Sequence, residues 1–358
     1  MILSYKKHIL QFKKPAGTSR GVYTTREVYI LAMHEKNNPQ KVGYGECAPL
    51  PDLSCDALPD FEDILKQVCE NFDGTIPTDF LRNYPSILFG IETAWKDFQS
   101  TQPNILWESD FTKGTTGIPI NGLIWMGSYN SMKQQIKEKL EKGFRCIKLK
   151  IGAIDFEEEY ALLKKIRREY DASEITLRVD ANGAFAPQVA LEKLERLSRL
   201  NIHSIEQPIR ANQWKEMAYL CKNTPLPIAL DEELIGVNDI AKKSELLDFI
   251  APQFIILKPT LHGGIMGATE WIELAKKRNI GYWITSALES NIGLNAIAQW
   301  CATLNLSSHQ GLGTGALFVE NFPTPLFIEG EHLWFKAEEY GIARIFKRVE
   351  QQLSIYIG

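Results

Sequence analysis

From about residue 118 to residue 316 the chain alternates short apolar runs with longer amphipathic stretches, and it does so eight times. The short runs are IPINGLIW, RCIKLKIG, ITLRVDAN, IHSIEQP, PIALDE, FIILKP, GYWITSALES and HQGLGTGA. Compact apolar runs bounded by turn residues read as strands buried on both faces. The intervening segments, among them SMKQQIKEKLEKG, DFEEEYALLKKIRREY and GIMGATEWIELAKKRN, repeat their apolar positions with the 3.6-residue period of a helix. The second of these opens with acids and closes with bases, as the helix dipole favours, and Gly143 stands where the first should end. Eight strand-helix units predict a (β/α) TIM barrel.

Before residue 118 the rhythm differs. TREVYILAMHE alternates like a strand, VGYGECAPLPDL is rich in Gly and Pro, and two helical stretches follow around residues 57–72 and 86–100. This predicts an α+β module. The expected fold class is α/β, a modified barrel with an N-terminal α+β domain. The expected boundaries are 1–112, 113–316 and 317–358, the last stretch carrying extra strands that pack back on the first domain. No low-complexity linker separates the parts.

Charges mark the ends of successive strands. Lys150, Asp180, Glu206, Asp231 and Lys258 follow one another at steps of 30, 26, 25 and 27 residues, about one strand-helix unit each. The C-terminal ends of barrel strands converge on one mouth, where such barrels keep their chemistry. Three carboxylates there suit a hard divalent cation bound through oxygen. Each acid alone also reads as a helix cap or a surface ion pair; three in a row do not. Lys148 and Lys150 are two apart on one strand and face the same way, a pattern that lowers at least one ammonium pKa and suits proton abstraction. Lys258 follows four apolar residues and would face Lys150 across the mouth. Asn182, Gln207 and Glu232 stand beside the acids as supporting hydrogen-bond partners. Gly263 and Gly264 would let the backbone approach a ligand, and Gly311 and Gly313 of GLGTG would bind an anion or leave room for substrate. No histidine fills a comparable place: His203 and His309 open strands, and His262 reads as a surface residue.

Composition narrows the partners. A net charge of −4, a pI near 6.0 and 44% apolar residues favour neither nucleic acid nor an anionic membrane. Six scattered cysteines with no C-x-x-C pair read as reduced thiols, and the first fifteen residues lack the apolar core of a secretion signal, so the cytoplasm is expected. The expected partner is a small carboxylate; oligomeric state is left open.

The order Lys-x-Lys, Asp, Glu, Asp, Lys on successive strands resembles the enolase superfamily, and more narrowly its muconate-lactonizing-enzyme subgroup, a device also described in general terms for that superfamily. The resemblance implies that Lys150 is the acid/base with Lys148 beside it, that Asp180, Glu206 and Asp231 hold Mg²⁺, and that Lys258 is the opposing lysine. It implies that GYGECAPL (43–50) belongs to a capping-domain loop over the substrate, with Tyr44, Pro49, Leu53 and the segment 18–21 in the lid, and that Pro85 to Phe98 is a capping-domain helix. The segments TSRG (18–21), INGLIW (120–125), Arg178 in RVD and SALES (286–290) resemble the subgroup's dehydratase branch of menaquinone biosynthesis. That likeness implies substrate contacts from Ser19, Arg20, Ser286 and Glu289, a supporting role for Arg178, and syn elimination of water from a succinyl-substituted cyclohexadiene carboxylate. Racemases of N-acylamino acids share nearly all these residues, and cycloisomerases the same site. Dipeptide epimerases carry two acids where this chain has GLGTG. Outside enzymes, the alternative is a barrel that only binds metal or ligand, which leaves both lysines unexplained.

Overall fold

The computed structural model describes residues 1–18, 21–102, 104–125 and 128–336. It opens with an antiparallel sheet of β1 (Ile2–Thr18), β2 (Gly21–Glu35) and β3 (Asn38–Cys47). Helices α1 (Phe61–Glu70), α2 (Thr78–Leu81) and α3 (Pro85–Gln99) follow, so the predicted sheet-then-helices module is present. The glycines of GYG serve packing rather than a loop. A side chain at Gly43 or Gly45 would collide with the α3 backbone, at 2.3 Å from Ala94 O and 1.9 Å from Gly90 O respectively. Only glycine lets β3 lie this close to α3. Asp97 of α3 completes the seam by accepting the Tyr44 N–H at 2.8 Å.

Next come β4 (Ile118–Pro119), β5 (Gly122–Ile124), α4 (Tyr129–Glu141), β6 (Cys146–Lys150), α5 (Phe156–Glu169), β7 (Thr176–Asp180) and α6 (Pro187–Ser198). They are followed by β8 (Ser204–Glu206), α7 (Trp214–Asn223), β9 (Ile228–Leu230), α8 (Ile240–Ile250), β10 (Phe254–Leu257), α9 (Gly264–Lys276), β11 (Gly281–Ile284) and α10 (Asn291–Thr303). Among the described residues β5 to β11 form one parallel sheet in sequence order. The predicted first strand is split: β5 enters the barrel, while β4 pairs with a C-terminal hairpin, β12 (Leu326–Glu329) and β13 (His332–Phe335). The predicted eighth strand shrinks to two parallel bridges, Ile120 with Gln310 and Thr285 with Gly311. These close the sheet into a barrel. GLGTG has no β-branched apolar residue to pack on either face, which is why no longer ladder forms there.

Alternation within each strand sorts the side chains. Leu149, Val179, Ile205, Leu230, Leu257 and Ile284 point out to the helices in the main core. Their neighbours point into the barrel, where Ala229, Ile256 and Trp283 form a separate apolar layer with Phe254 packed against it. The charged residues stand above that layer.

The stretch after the barrel divides its contacts. Phe318 and Phe322 pack with Leu10 and Phe12 of the N-terminal sheet, while Leu326, Leu333 and Phe335 join the barrel core. Residues 337–358 lie outside the described residues. No helix among the described residues is long and apolar enough to cross a membrane, and all six cysteines are free thiols.

Candidate active site

Strand register sets the level of each charge. Lys150 pairs with Asp180 across β6 and β7, and Asp180 with Glu206 across β7 and β8. Asp231 follows directly on β9 and Lys258 on β10. β6 and β10 are separated by three strands, so Lys150 and Lys258 occupy opposing walls.

The ammonium groups lie among the carboxylates. Lys148 binds Glu206 and sits 3.1 Å from Asp180 Oδ2. Lys150 Nζ donates to Asp180 Oδ2 at 3.1 Å and to Asn182 Oδ1 at 2.7 Å. Lys258 Nζ donates to both oxygens of Asp231, at 2.7 and 2.5 Å. Asp180, Glu206 and Asp231 are each no more than 1% exposed. Burial presses the Lys148 and Lys258 ammoniums toward losing a proton, but the facing carboxylates outweigh it and hold both above the usual lysine range. The sequence pattern predicts a lowered pKa within the Lys148–Lys150 pair. For Lys148 the direction is the reverse, because three acids face it. Burial likewise works against the Asp180 charge, yet Lys148, Lys150 and Lys258 keep its carboxyl well below the ordinary range. Glu206 is pushed up to about 7, by burial first and then by Asp180 and Asp231.

As placed, no three Asp, Glu, His or Cys side chains among the described residues are gathered to hold a metal. Lysines bridge the carboxylates instead. The donor set nevertheless fits a hard cation: three buried carboxylates on adjacent strands, with Glu206 Oε1 buried and without a hydrogen-bond partner.

The supporting residues divide. Asn182, at a left-handed φ of 43°, donates to Glu232 Oε1 at 2.9 Å while accepting from Lys150. Burial, then Asp231 and Asp180, raise the Glu232 pKa. Gln207 braces the end of β9: its Oε1 accepts from the backbone N–H of Asp231 and Glu233, and its Nε2 donates to Glu233 at 3.0 Å. Glu233, 3% exposed, was not visible in the sequence pattern, and its position beside Glu232 was the only signal. Arg178 turns the other way. It donates to His309 O at 2.8 Å and its guanidinium lies 4.2 Å from the Trp283 ring centre, below the carboxylates. His262 is not a surface residue. It is buried, and its Nδ1 accepts the Lys258 N–H at 3.0 Å, which fixes the lysine's backbone.

Above the charges opens a cleft. Lys148, Lys150 and Lys258 form its floor with Asp180, Asn182 and Glu232. One wall is the barrel loop Thr285 to Leu288 with Gly311, Gly313 and Thr314; the other is apolar, with Leu123 and Trp125 from INGLIW beside Asn121. The roof is Tyr23, Leu50 and Leu53, so among the described residues Leu53 alone of Tyr44, Pro49 and Leu53 reaches the cleft. Tyr44 is packed under the N-terminal sheet instead. Ser286 lines the wall, but Glu289 stands behind it. The Glu289 carboxylate accepts from Thr260 at 2.5 Å, Ser286 at 2.6 Å and the Ala287 N–H at 2.8 Å. Gly264 also serves a neighbour rather than a ligand: a side chain there would meet Glu92 Oε2 at 2.2 Å. Ser19 and Arg20 lie outside the described residues.

Residues 131–338 match the family described as enolase C-terminal domain-like, and residues 17–98 match the N-terminal domain of MenC. The chain is 44% identical to the o-succinylbenzoate synthase of Desulfotalea psychrophila, over 92% of this chain and 98% of that one. The crystal structure of MenC from Desulfotalea psychrophila LSv54 superposes with a TM-score of 0.83 at 40% identity, covering 93% of this chain and 99% of the other. The o-succinylbenzoate synthase of Thermosynechococcus elongatus, crystallised with Mg in its active site, shares the fold at a TM-score of 0.74 and 23% identity, over 97% and 100% of the two chains. The chain therefore belongs to the o-succinylbenzoate synthase family of the enolase superfamily.

Proposed function

We propose that this cleft dehydrates 2-succinyl-6-hydroxy-2,4-cyclohexadiene-1-carboxylate to 2-succinylbenzoate, a step of menaquinone biosynthesis. The observation that carries the reading is the near full-length identity of 44% to an o-succinylbenzoate synthase. The site chemistry agrees with it. Lys150 takes the proton from the carbon bearing the substrate carboxylate and returns it to the departing hydroxyl on the same face, as a syn elimination requires. Lys258, charged and on the opposing wall, faces the negative charge that develops as the proton leaves. Lys148 keeps Asp180 and Glu206 in place. The apolar wall of Leu123 and Trp125 suits a carbocyclic ring.

Mg²⁺, with Mn²⁺ as its near substitute, would be held by Asp180, Glu206 and Asp231, and supplies positive charge against the substrate carboxylate. The protein acts on a small carboxylate and needs neither nucleic acid nor membrane for this chemistry. Because GLGTG carries no acid to hold an ammonium group, a dipeptide is the poorer fit.

The test follows the absorbance change as the diene becomes aromatic, with racemisation of N-succinyl amino acids assayed in parallel. Turnover should vanish in excess chelator and return with Mg²⁺. Lys150→Ala should lose on the order of a thousandfold or more in kcat. Better kcat/KM on L-Ala-D/L-Glu than on the cyclohexadiene would overturn the dehydratase reading and leave the fold untouched.

A further inference from the structure

Arg26 is one of the largest fully buried side chains of the described residues, at 1% exposure. It lies on β2, outside the cleft. A buried guanidinium ordinarily pairs with a carboxylate. Among the described residues Arg26 touches no carboxylate, Glu289 and Glu46 acting on it only at longer range; its hydrogen bonds go to main-chain carbonyls. Nη2 donates to Ala48 O at 2.5 Å, Nη1 to Pro49 O at 2.5 Å and to Glu27 O at 3.2 Å, and Nε to Leu288 O at 3.2 Å.

Apart from Glu27 O on its own strand, those carbonyls belong to two segments that meet at the cleft, the one leading into the roof turn and the barrel loop that forms one wall. β3 ends at Cys47, so the carbonyls of Ala48 and Pro49 leave the sheet and need new donors. Directly after them the chain makes a tight turn. Leu50 O accepts from Leu53 N at 3.2 Å and Ser54 N at 2.9 Å, Ser54 Oγ accepts from Leu50 N at 2.8 Å, and Asp52 adopts a φ of 62°. Leu50 and Leu53 of this turn are the roof. Leu288, on the barrel side, is itself held at a left-handed φ of 66°, and its side chain also lines the cleft. The planar fork of arginine presents five N–H groups in fixed directions, which one ammonium cannot imitate.

We propose that Arg26 is a positioning residue for substrate binding: it hangs the Leu50–Leu53 turn at a set height over the barrel loop that carries Leu288, and so fixes the width of the mouth without touching substrate. Tyr23, whose Oη donates to Pro51 O at 3.0 Å, is a second tether on the same turn. The inference rests on the cleft being the substrate site, which wild-type turnover tests separately.

Arg26→Lys keeps the charge but cannot reach all four carbonyls. It should raise KM about tenfold while kcat changes by less than about threefold. The second arm is a cycle with Leu53→Ala. If Arg26 works through the turn, removing the Leu53 side chain should raise KM several-fold in the wild type and hardly at all in Arg26→Lys. A residue that merely supports the core would give independent, multiplying effects. A folded Arg26→Lys with unchanged KM, or multiplying effects with Leu53→Ala, overturns the proposal. Hydrogen exchange on the unaltered protein covers the case in which the variant does not fold. The amides of residues 50, 52–54 and 286–289 should open together and be protected together by 2-succinylbenzoate; opening rates differing by more than about tenfold between the two segments would refute the tether.

Discussion

At the scale of single residues, the site is a balance of buried charges. Lys148 neutralises two carboxylates that are at most 1% exposed. Removing one partner of such a group leaves the other charge buried and unpaired, at a cost of about 3–5 kcal/mol. Lys148→Met should therefore lose stability on that scale when measured by denaturation in chelator. Because the missing ammonium is also a competitor for the same oxygens, Mg²⁺ should restore more stability to Lys148→Met than it adds to the wild type. Equal stabilisation of both proteins by Mg²⁺ would place the cation elsewhere. Lys258→Arg tests the opposite wall. It keeps the charge beside Asp231 but loses a compact ammonium, so dehydration should survive better than whatever racemisation of N-succinyl amino acids the wild type shows, where that lysine must itself carry a proton. Equal loss of both activities, with the fold intact, would contradict an electrostatic role.

At the scale of elements, the N-terminal domain is seated on the barrel by carboxylates that cap helices. Glu46 of β3 accepts from Ser290 N at 2.8 Å, from Ser290 Oγ at 2.5 Å and from Gly293 N at 2.7 Å, at the start of α10. Glu92 of α3 accepts from Ile265 N and Met266 N at the start of α9, at 2.6 and 3.0 Å. Helix N-termini favour such acids, but full burial pushes Glu46 from 4.5 up to about 7 despite those bonds. An acid whose folded pKa lies above its unfolded value makes the folded state the better proton binder. Its contribution to stability is complete below about 4.5 and falls as pH rises to about 7, by roughly 1.4 kcal/mol per unit, then stays level. Thermal unfolding of wild type and Glu46→Gln should show it. The difference in stability should shift against the wild type between pH 5 and about 7 and hold constant near pH 8. A difference that stays flat across that range would mean that Glu46 titrates normally.

At the scale of the whole molecule, the parts legible in the sequence were those governed by short-range period. Strand-helix alternation gave seven of the barrel strands, and the residue at or just beyond each strand end gave the charged floor. What stayed hidden depends on chain segments distant in sequence. The pattern of IPINGLIW could not reveal that Pro119 would pair with His332, nor that of HQGLGTGA that the eighth strand would shrink to two bridges. Arg178 and Glu289 sit in motifs that point at the cleft, yet their partners, His309 and Thr260, turn them from it. Arg26 carried no signal, since its partners are carbonyls, which every residue has. The closure at Gln310 is the weakest seam of the barrel. Its side chain accepts from Ile284 N at 2.7 Å, and its own N–H donates to Pro119 O at 2.8 Å. Gln310→Ala leaves a buried N–H without a partner and should cost about 1–3 kcal/mol in chemical denaturation. A neutral substitution would mean that the seam holds without that side chain.

The capping contact between Glu46 and Ser290 joins residues 244 positions apart. During synthesis at ~5–20 residues per second, the strand that carries Glu46 leaves the ribosome roughly 10–50 s before the helix it will cap. For that interval the first sheet has no seat. Glu46, Glu92 and the Arg26 contact to Leu288 have no partners yet to meet, and the faces that will be buried stand in water. The domain made first is thus among the last to be finished, and completion of the cleft waits on the last third of the chain.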